Sequence, residues 1–229
     1  MSLAPNTLSG AVVAFDLDGT LVDSAADLIG SVNVLLHEKG LPALVLPAAR
    51  SLVGRGARAM IEQGFAAVGE PLDASETPAL VRRFIAVYRE RIAFESRAFD
   101  GVETALDDLT GAGARLCVCT NKFTDLSVAL LNALDLSRYF AAVIGPDLAP
   151  APKPDARHLI AAIEAAGGHA QRAVMVGDSA ADVGAARAAS VPSIVVSFGY
   201  TEIAAGELGG DCVIDRFSQL PPLVARLLG

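Results

Sequence analysis

Asp16 and Asp18 stand one residue apart at the end of the apolar run Ala11-Val12-Val13-Ala14, in the stretch Phe15-Asp16-Leu17-Asp18-Gly19-Thr20. Two acids this close repel each other, so a cation or a proton is expected between them. Matching parts recur later in the chain. Thr120-Asn121 follows Leu116-Cys117-Val118-Cys119, Lys153 lies between two prolines, and Asp178 follows Ala173-Val174-Met175-Val176-Gly177. Asp182 comes four residues after Asp178, the same-face spacing of a helix. A hydroxyl, an ammonium and several carboxylates are the parts that phosphoryl transfer needs. Carboxylates with room for water form a hard-oxygen set that suits Mg2+. The ion and Lys153 would neutralise phosphate oxygens while Thr120 donates a hydrogen bond. One carboxylate can attack phosphorus, and a second acid must protonate the departing alkoxide and then take a proton from water. Hydrolysis of phosphate monoesters is slow enough that accelerations reach about 10²¹-fold, more than one group supplies. The plainer alternative for the first pair is a turn at Asp18-Gly19 with Asp16 as a cap.

The elements that must position these residues follow from hydrophobic periodicity. Short valine-rich runs at 11–14, 116–119, 142–144, 173–176, 194–196 and 213–214 read as buried strands. Between them, from Val102 onward, lie helical patterns at 102–109, 125–134, 180–189 and 222–228, and one after Lys153 through Leu159, Ile160 and Ile163. Strand–helix alternation predicts a mostly parallel sheet with helices on both faces, an α/β, Rossmann-like core. In such sheets ligands bind beyond the carboxyl ends of the strands, where most of the candidate residues fall. Helical patterns at 25–37, 47–53, 57–69 and 75–94 interrupt the alternation straight after the first strand. We therefore divide the chain into a core of residues 1–22 and 98–229 and a helical cap of residues 23–97. The linkers near Val22–Ser24 and Arg97–Gly101 would be hinges for cap closure.

Composition narrows the partners. The 229 residues carry a net charge of −8 and are 52% hydrophobic and 19% charged, with a pI near 4.8. That is a globular composition, and it lacks the basic footprint that nucleic acids require. A small anionic substrate stays open, because local charge can oppose net charge. Cys117 and Cys119 alternate on one strand and Cys212 stands alone, which reads as unpaired thiols in a reducing, cytoplasmic setting. No apolar run nears the roughly 20 residues of a membrane span. The first ten residues lack the basic start and apolar core of a secretory signal and read as a loose end.

With these stretches in place, the chain resembles the haloacid dehalogenase superfamily of phosphatases. Asp16-Leu17-Asp18-Gly19-Thr20 matches its first motif, Thr120 its second, Lys153 its third, and Gly177-Asp178-Ser179-Ala180-Ala181-Asp182 its fourth. Leu21-Val22-Asp23-Ser24, Thr120-Asn121-Lys122, Lys153-Pro154 and Ala185-Ala186-Arg187-Ala188-Ala189 are similar to the phosphoglycolate phosphatase branch. The resemblance implies a cap of the C1 type between the first two motifs and a Mg2+ cofactor. It implies that Asp16 is the nucleophile and Asp18 the general acid and base. Asp16, the backbone carbonyl of Asp18, and Asp178 would be metal ligands. Asp182 would hold the metal's water shell or Lys153. Thr120 and the N–H of Asn121 would grip the phosphoryl group, and Lys153 would stabilise its charge. The chain departs from the family at Asp155-Ala156, where a second proline is common, and at Ser190, where glycine is usual.

Substrate choice is expected in the cap. Gly54-Arg55-Gly56 separates two helical patterns and could bring Arg55 over the site, where a guanidinium would pair with a substrate carboxylate. The alternative is a helix–helix turn with a solvated arginine. Arg58 and Lys122 are further candidates of the same kind. His158 reads as a surface or half-buried residue without a catalytic partner. The leading expectation is hydrolysis of a small phosphorylated metabolite, 2-phosphoglycolate first, by a monomer or homodimer. A β-phosphoglucomutase-like phosphosugar mutase, or a pyrophosphatase or nucleotidase built on the same site, is the enzymatic alternative. A non-catalytic binding protein would have lost a motif residue, and none is lost.

Overall fold

The computed structural model describes residues 3–201 and 203–229. In chain order the elements begin with β1 (Val12–Phe15), β2 (Val22–Asp23), α1 (Ala25–Glu38), α2 (Leu46–Ala49), α3 (Ala57–Ala67), α4 (Thr77–Glu90) and β3 (Arg97–Ala98). They continue with α5 (Val102–Gly111), β4 (Arg115–Cys119), α6 (Thr124–Ala133), β5 (Phe140–Ile144), α7 (Ala156–Ala165) and β6 (Ala173–Gly177). The last are α8 (Ala180–Ala188), β7 (Ser193–Val196), β8 (Cys212–Ile214) and α9 (Leu220–Leu228).

Six strands form one parallel sheet in the order β5-β4-β1-β6-β7-β8. The two-residue period of the strands sorts their side chains between two cores. Val13, Phe15, Leu116, Val118, Val174 and Val176 face one side, against Leu106 and Leu109 of α5 and Val224 of α9. Val12, Ala14, Cys117, Cys119, Ala173 and Met175 face the other, against Leu159 and Ile163 of α7 and Ala185 of α8. The chain leaves β1 for β4 and β5 on one side and returns to β6, β7 and β8 on the other. The carboxyl end of β1 is therefore the switch point of the sheet, where a crevice must open.

Helices α1, α3 and α4 bury their own core, with Leu28, Val32, Ile61, Phe65 and Phe84 in it, and the Phe84 and Tyr88 rings stack 5.9 Å apart. The two linkers that lead into and out of this helical unit pair with each other. Val22 and Asp23 of β2 lie antiparallel to Ala98 and Arg97 of β3, a ribbon that periodicity alone does not reveal in segments of two residues. Asp27 of α1 ties the exit linker to the entry helix by accepting the N–H of Glu95 at 2.9 Å, the N–H of Ser96 at 2.8 Å and the Ser96 hydroxyl at 2.7 Å.

The expected loose end at residues 1–10 is in part built into the core. Leu8 is 1% exposed, and its N–H donates to the Ala112 carbonyl at 2.9 Å. Met1 and Ser2 lie outside the described residues. Cys117, Cys119 and Cys212 are free thiols. No helix among the described residues is long and apolar enough to cross a membrane.

Candidate active site

At the end of β1 the backbone stays in the sheet for one more residue, as the Asp16 N–H donates to the Val176 carbonyl at 2.9 Å. It then turns, with the Gly19 N–H reaching the Val22 carbonyl at 2.9 Å. Gly19 has φ +83°, and a Cβ there would lie 2.5 Å from Asp178 Oδ2 and 2.9 Å from the Tyr200 ring. Only glycine both adopts this conformation without strain and leaves space for Asp178. The turn buries both acids; Asp16 is 3% and Asp18 7% exposed.

Asp16 shares its ammonium partner. Lys153 Nζ lies 2.9 Å from Asp16 Oδ1 and donates to Asp182 Oδ1 at 2.7 Å. The other oxygen of Asp182 accepts the Ser179 N–H at 3.0 Å and hydroxyl at 2.6 Å, the reciprocal capping box that starts α8. Two side chains fix Lys153 from behind. The Asn121 amide accepts the Lys153 N–H at 3.0 Å and donates to its carbonyl at 3.2 Å. His158 Nδ1 accepts the same N–H at 3.1 Å, which assigns the ring proton to Nε2, 3.1 Å from the Ile144 carbonyl. Burial works against the charge on Lys153, and Asp16 and Asp182 outweigh it, holding the ammonium well above the ordinary lysine range. Burial pushes Asp16 up to about 6, against the pull of Lys153. Burial and then the neighbouring Asp182 and Asp16 push Asp178 up to about 8.

Asp18 faces a different cation. Lys122 Nζ donates to its two oxygens at 2.6 and 2.8 Å, and the Ser24 hydroxyl donates to Oδ1 at 2.5 Å. Burial opposes the charge on Lys122, and Asp18 more than offsets it, so the ammonium is held above its usual range. Lys122 also lies 4.6 Å from the centre of the Tyr88 ring of α4, whose phenol burial pushes up to about 12. Asp16, Asp18, Thr120, Asn121 and Lys122 line a cleft roofed by apolar side chains that include Leu28, Met60 and Phe84. The Lys122 N–H donates to Thr120 Oγ1 at 3.2 Å, so the hydroxyl proton of Thr120 can be turned toward a ligand.

The model of the haloacid dehalogenase-like hydrolase family matches residues 13–196. The chain belongs to the haloacid dehalogenase-like hydrolases. Among its relatives is a phosphoglycolate phosphatase of Caulobacter vibrioides, 58% identical over 96% of this chain and 93% of that protein. Another is a phosphoglycolate phosphatase of Agrobacterium fabrum, 49% identical over 93% and 92%. A crystal structure of a predicted phosphoglycolate phosphatase from Haemophilus somnus 129pt superposes with a TM-score of 0.85 at 27% identity, covering 93% of this chain and 97% of that one. With a family match and relatives of this similarity, this haloacid dehalogenase-like chain is a phosphoric monoester hydrolase.

The family's divalent metal has a fitting place here. Asp16, Asp178 and Asp182 each bring one carboxylate oxygen within 4.8 Å of the others, all three buried. Asp182 spends both oxygens on Lys153 and Ser179. Asp178 accepts one donor on each oxygen, the Thr20 hydroxyl at 3.2 Å and the Tyr200 N–H at 2.8 Å. Asp16 Oδ1 is buried with no aligned hydrogen bond, since the nearby Lys153 contact is an ion pair only. Buried carboxylates with unspent lone pairs are a hard-oxygen set suited to Mg2+.

Of the sequence candidates, Asp16, Asp18, Thr120, Asn121, Lys153, Asp178 and Asp182 meet at this edge of the sheet. Gly54 and Gly56 line the cleft from the helical unit. Arg55 does not line that cleft; its side chain is exposed and lines an adjoining depression with Asp178, Ser179 and Tyr200, which meets the cleft at Val53 and Gly54. Arg58 pairs with Glu62 at 2.9 Å on the surface. His158 is 0% exposed, not on the surface or half-buried, because its ring bridges the Lys153 loop and β5. Ser24 was read only as part of a motif and a linker, with no role at Asp18, and Tyr200 escaped the sequence reading. The Tyr200 hydroxyl accepts the N–H groups of Ser24 at 2.7 Å and Ala25 at 3.1 Å and donates to Asp23 Oδ1 at 2.7 Å. Its signal was its place: it follows the carboxyl end of β7, the same sheet edge that supplies Asp16, Asp18, Thr120 and Asp178.

Proposed function

We propose that this enzyme hydrolyses 2-phosphoglycolate with Mg2+ through an aspartyl phosphate on Asp16, in the cytoplasm. The observation that supports it is a buried carboxylate flanked by a fixed ammonium, Lys153, and sharing one cleft with a second acid, Asp18. The names of the relatives point to the same substrate. Asp16 attacks phosphorus, and the bond to the glycolate oxygen breaks. Asp18 protonates that oxygen as it leaves, then takes a proton from the water that attacks the phosphoenzyme. Asp16 is thereby freed and inorganic phosphate formed. Lys153 and the Thr120 hydroxyl meet the negative charge of the phosphoryl oxygens. The carboxylates of Asp16 and Asp178 and the carbonyl of Asp18 would hold Mg2+, which supplies Lewis-acid charge stabilisation when bound. The helical unit of residues 23–97 would act as a cap that excludes water from the first step.

The test is phosphate release from a panel of monoesters that includes 2-phosphoglycolate, a phosphosugar and a nucleotide, in Mg2+ and in chelator. Release led by 2-phosphoglycolate, lost in chelator and reduced at least 1,000-fold in Asp16→Asn, is expected. Equal rates across the panel would remove the named substrate, and undiminished activity of Asp16→Asn would remove the nucleophile.

A further inference from the structure

We propose that Lys122 and the Tyr88 hydroxyl form the subsite that takes the substrate's carboxylate, and that this carboxylate replaces Asp18 on Lys122. The inference deepens the proposed function and rests on the phosphoryl group lying at Asp16. Among the described residues, Lys122 is the one cationic side chain lining the cleft that holds both acids. The cap side of that cleft is largely apolar, so a carboxylate carried in with the phosphate would otherwise lose its hydration with no charge to replace it. Tyr88 gives a second sign. It is 0% exposed and lines the same cleft, its ring stands over the Lys122 ammonium at 4.6 Å, and its buried hydroxyl feels that ammonium but makes no aligned hydrogen bond and donates to no described group. A buried phenol that donates to nothing is a group waiting for an acceptor. An ammonium and a phenol proton together make a carboxylate site.

The pairing of Lys122 with Asp18 explains how this subsite would serve catalysis. Both Asp18 oxygens accept from Lys122, and one also accepts from Ser24. To carry a proton to the leaving oxygen, Asp18 must first be freed from one of these donors. An incoming carboxylate has the same charge and the same two acceptor oxygens, so it can exchange with Asp18 on Lys122 without leaving the buried ammonium unpaired. Lys122 is also fixed relative to the phosphate grip, being two residues from Thr120 and bonded to its hydroxyl oxygen. Only a substrate long enough to span both grips would release the acid. Arg55 is exposed and lines the adjoining depression with Asp178, so it stands on the Asp178 side of the site and not in the Lys122 cleft.

The experiment compares kcat and KM for 2-phosphoglycolate and for 2-hydroxyethyl phosphate, which is equally long and lacks the carboxylate. Wild type should prefer 2-phosphoglycolate by about 100-fold or more in kcat/KM, with part of the gap in kcat. Lys122→Met should shrink that ratio at least 20-fold, Lys122→Arg should restore part of it, and Tyr88→Phe should shrink it about 3- to 10-fold. A wild-type ratio near 1 overturns the inference without any variant, and so does an equal loss on both substrates in Lys122→Met and Tyr88→Phe. The two proposals fail differently. If wild type hydrolyses both esters equally in Mg2+, the reaction stands and the subsite falls; if it hydrolyses neither, both fall.

Discussion

At the scale of single residues, the site is a set of charges that burial has made dependent on one another. Asp16 and Asp182 share Lys153, and Lys153 is aimed by Asn121 and His158 rather than by its own flexible stem. Burial is the chief cause that holds His158 below the ordinary histidine range. A group whose folded pKa lies under its unfolded value of about 6.5 leaves stability intact above that pH and removes it as the pH falls toward the folded pKa. Urea midpoints of wild type and His158→Gln should therefore differ most near pH 8 and converge toward pH 5. A gap that stays constant would show that His158 does not titrate with folding. Ser190 carries a separate cost. It follows α8 with φ +55°, in a Schellman closure where its N–H reaches the Arg187 carbonyl at 3.1 Å and the Val191 N–H reaches Ala186 at 2.9 Å. A side chain in that conformation is strained by roughly 1 kcal/mol, so Ser190→Gly should raise unfolding free energy by about 0.5–1 kcal/mol in denaturant titration. An unchanged or lowered value would show that the strain is relieved elsewhere.

At the scale of elements, the site depends on what joins the helical unit to the sheet. The paired linkers β2 and β3 are crossed by one side chain from each flank. Arg50, beside α2, donates to both Asp23 oxygens at 2.9 Å and lies 5.0 Å over the Tyr200 ring. The Tyr200 hydroxyl meets the start of α1 while its N–H holds Asp178. One residue thus connects a carboxylate of the acidic cluster to the start of the helical unit. Tyr200→Phe would leave two buried N–H groups with no acceptor, and it should cost about 1–3 kcal/mol of stability by urea denaturation. A loss under about 0.3 kcal/mol would mean that the hydroxyl is idle. Arg50→Ala, by contrast, removes a half-exposed pair and should cost less than about 1 kcal/mol. The strands were legible because a short valine-rich run between two helical patterns is too short for a helix and too apolar for a loop. The acids, Thr120 and Lys153 were legible because they cluster at strand ends. The ribbon was not, since two-residue strands carry no periodicity. Nor was the true neighbour of Asp18, because sequence spacing cannot say that Lys122, 104 residues away, folds back over β1 while Arg55 lines the adjoining depression beside Asp178.

For the whole molecule, the acidic cluster sets a balance between proton, metal and fold. Asp16 and Asp178 have folded pKa values raised from 3.8 to about 6 and about 8. Their contribution to stability is therefore present below about pH 4 and lost as pH rises through 6 and 8. A cation bound by the folded state alone relieves this, by about 2.7 kcal/mol at a hundred times its Kd, roughly 5–10 °C in Tm for a chain of this size. Melting in Mg2+ and in chelator should show a gain that grows from pH 5.5 to pH 8 and is absent in Asp178→Asn; a gain independent of pH would place the ion elsewhere. In the proposed mechanism Asp16 becomes phosphorylated and Asp18 serves both half-reactions. The most direct measurement is rapid mixing of Asp18→Asn with 4-nitrophenyl phosphate in Mg2+, because nitrophenolate leaves without a general acid while breakdown of the phosphoenzyme still needs a base. We expect a burst of about one nitrophenolate per active site followed by slow turnover, with the phosphoryl group recovered on the peptide that contains Asp16. Linear release with no burst, and no phosphoryl group on that peptide, would contradict the covalent mechanism.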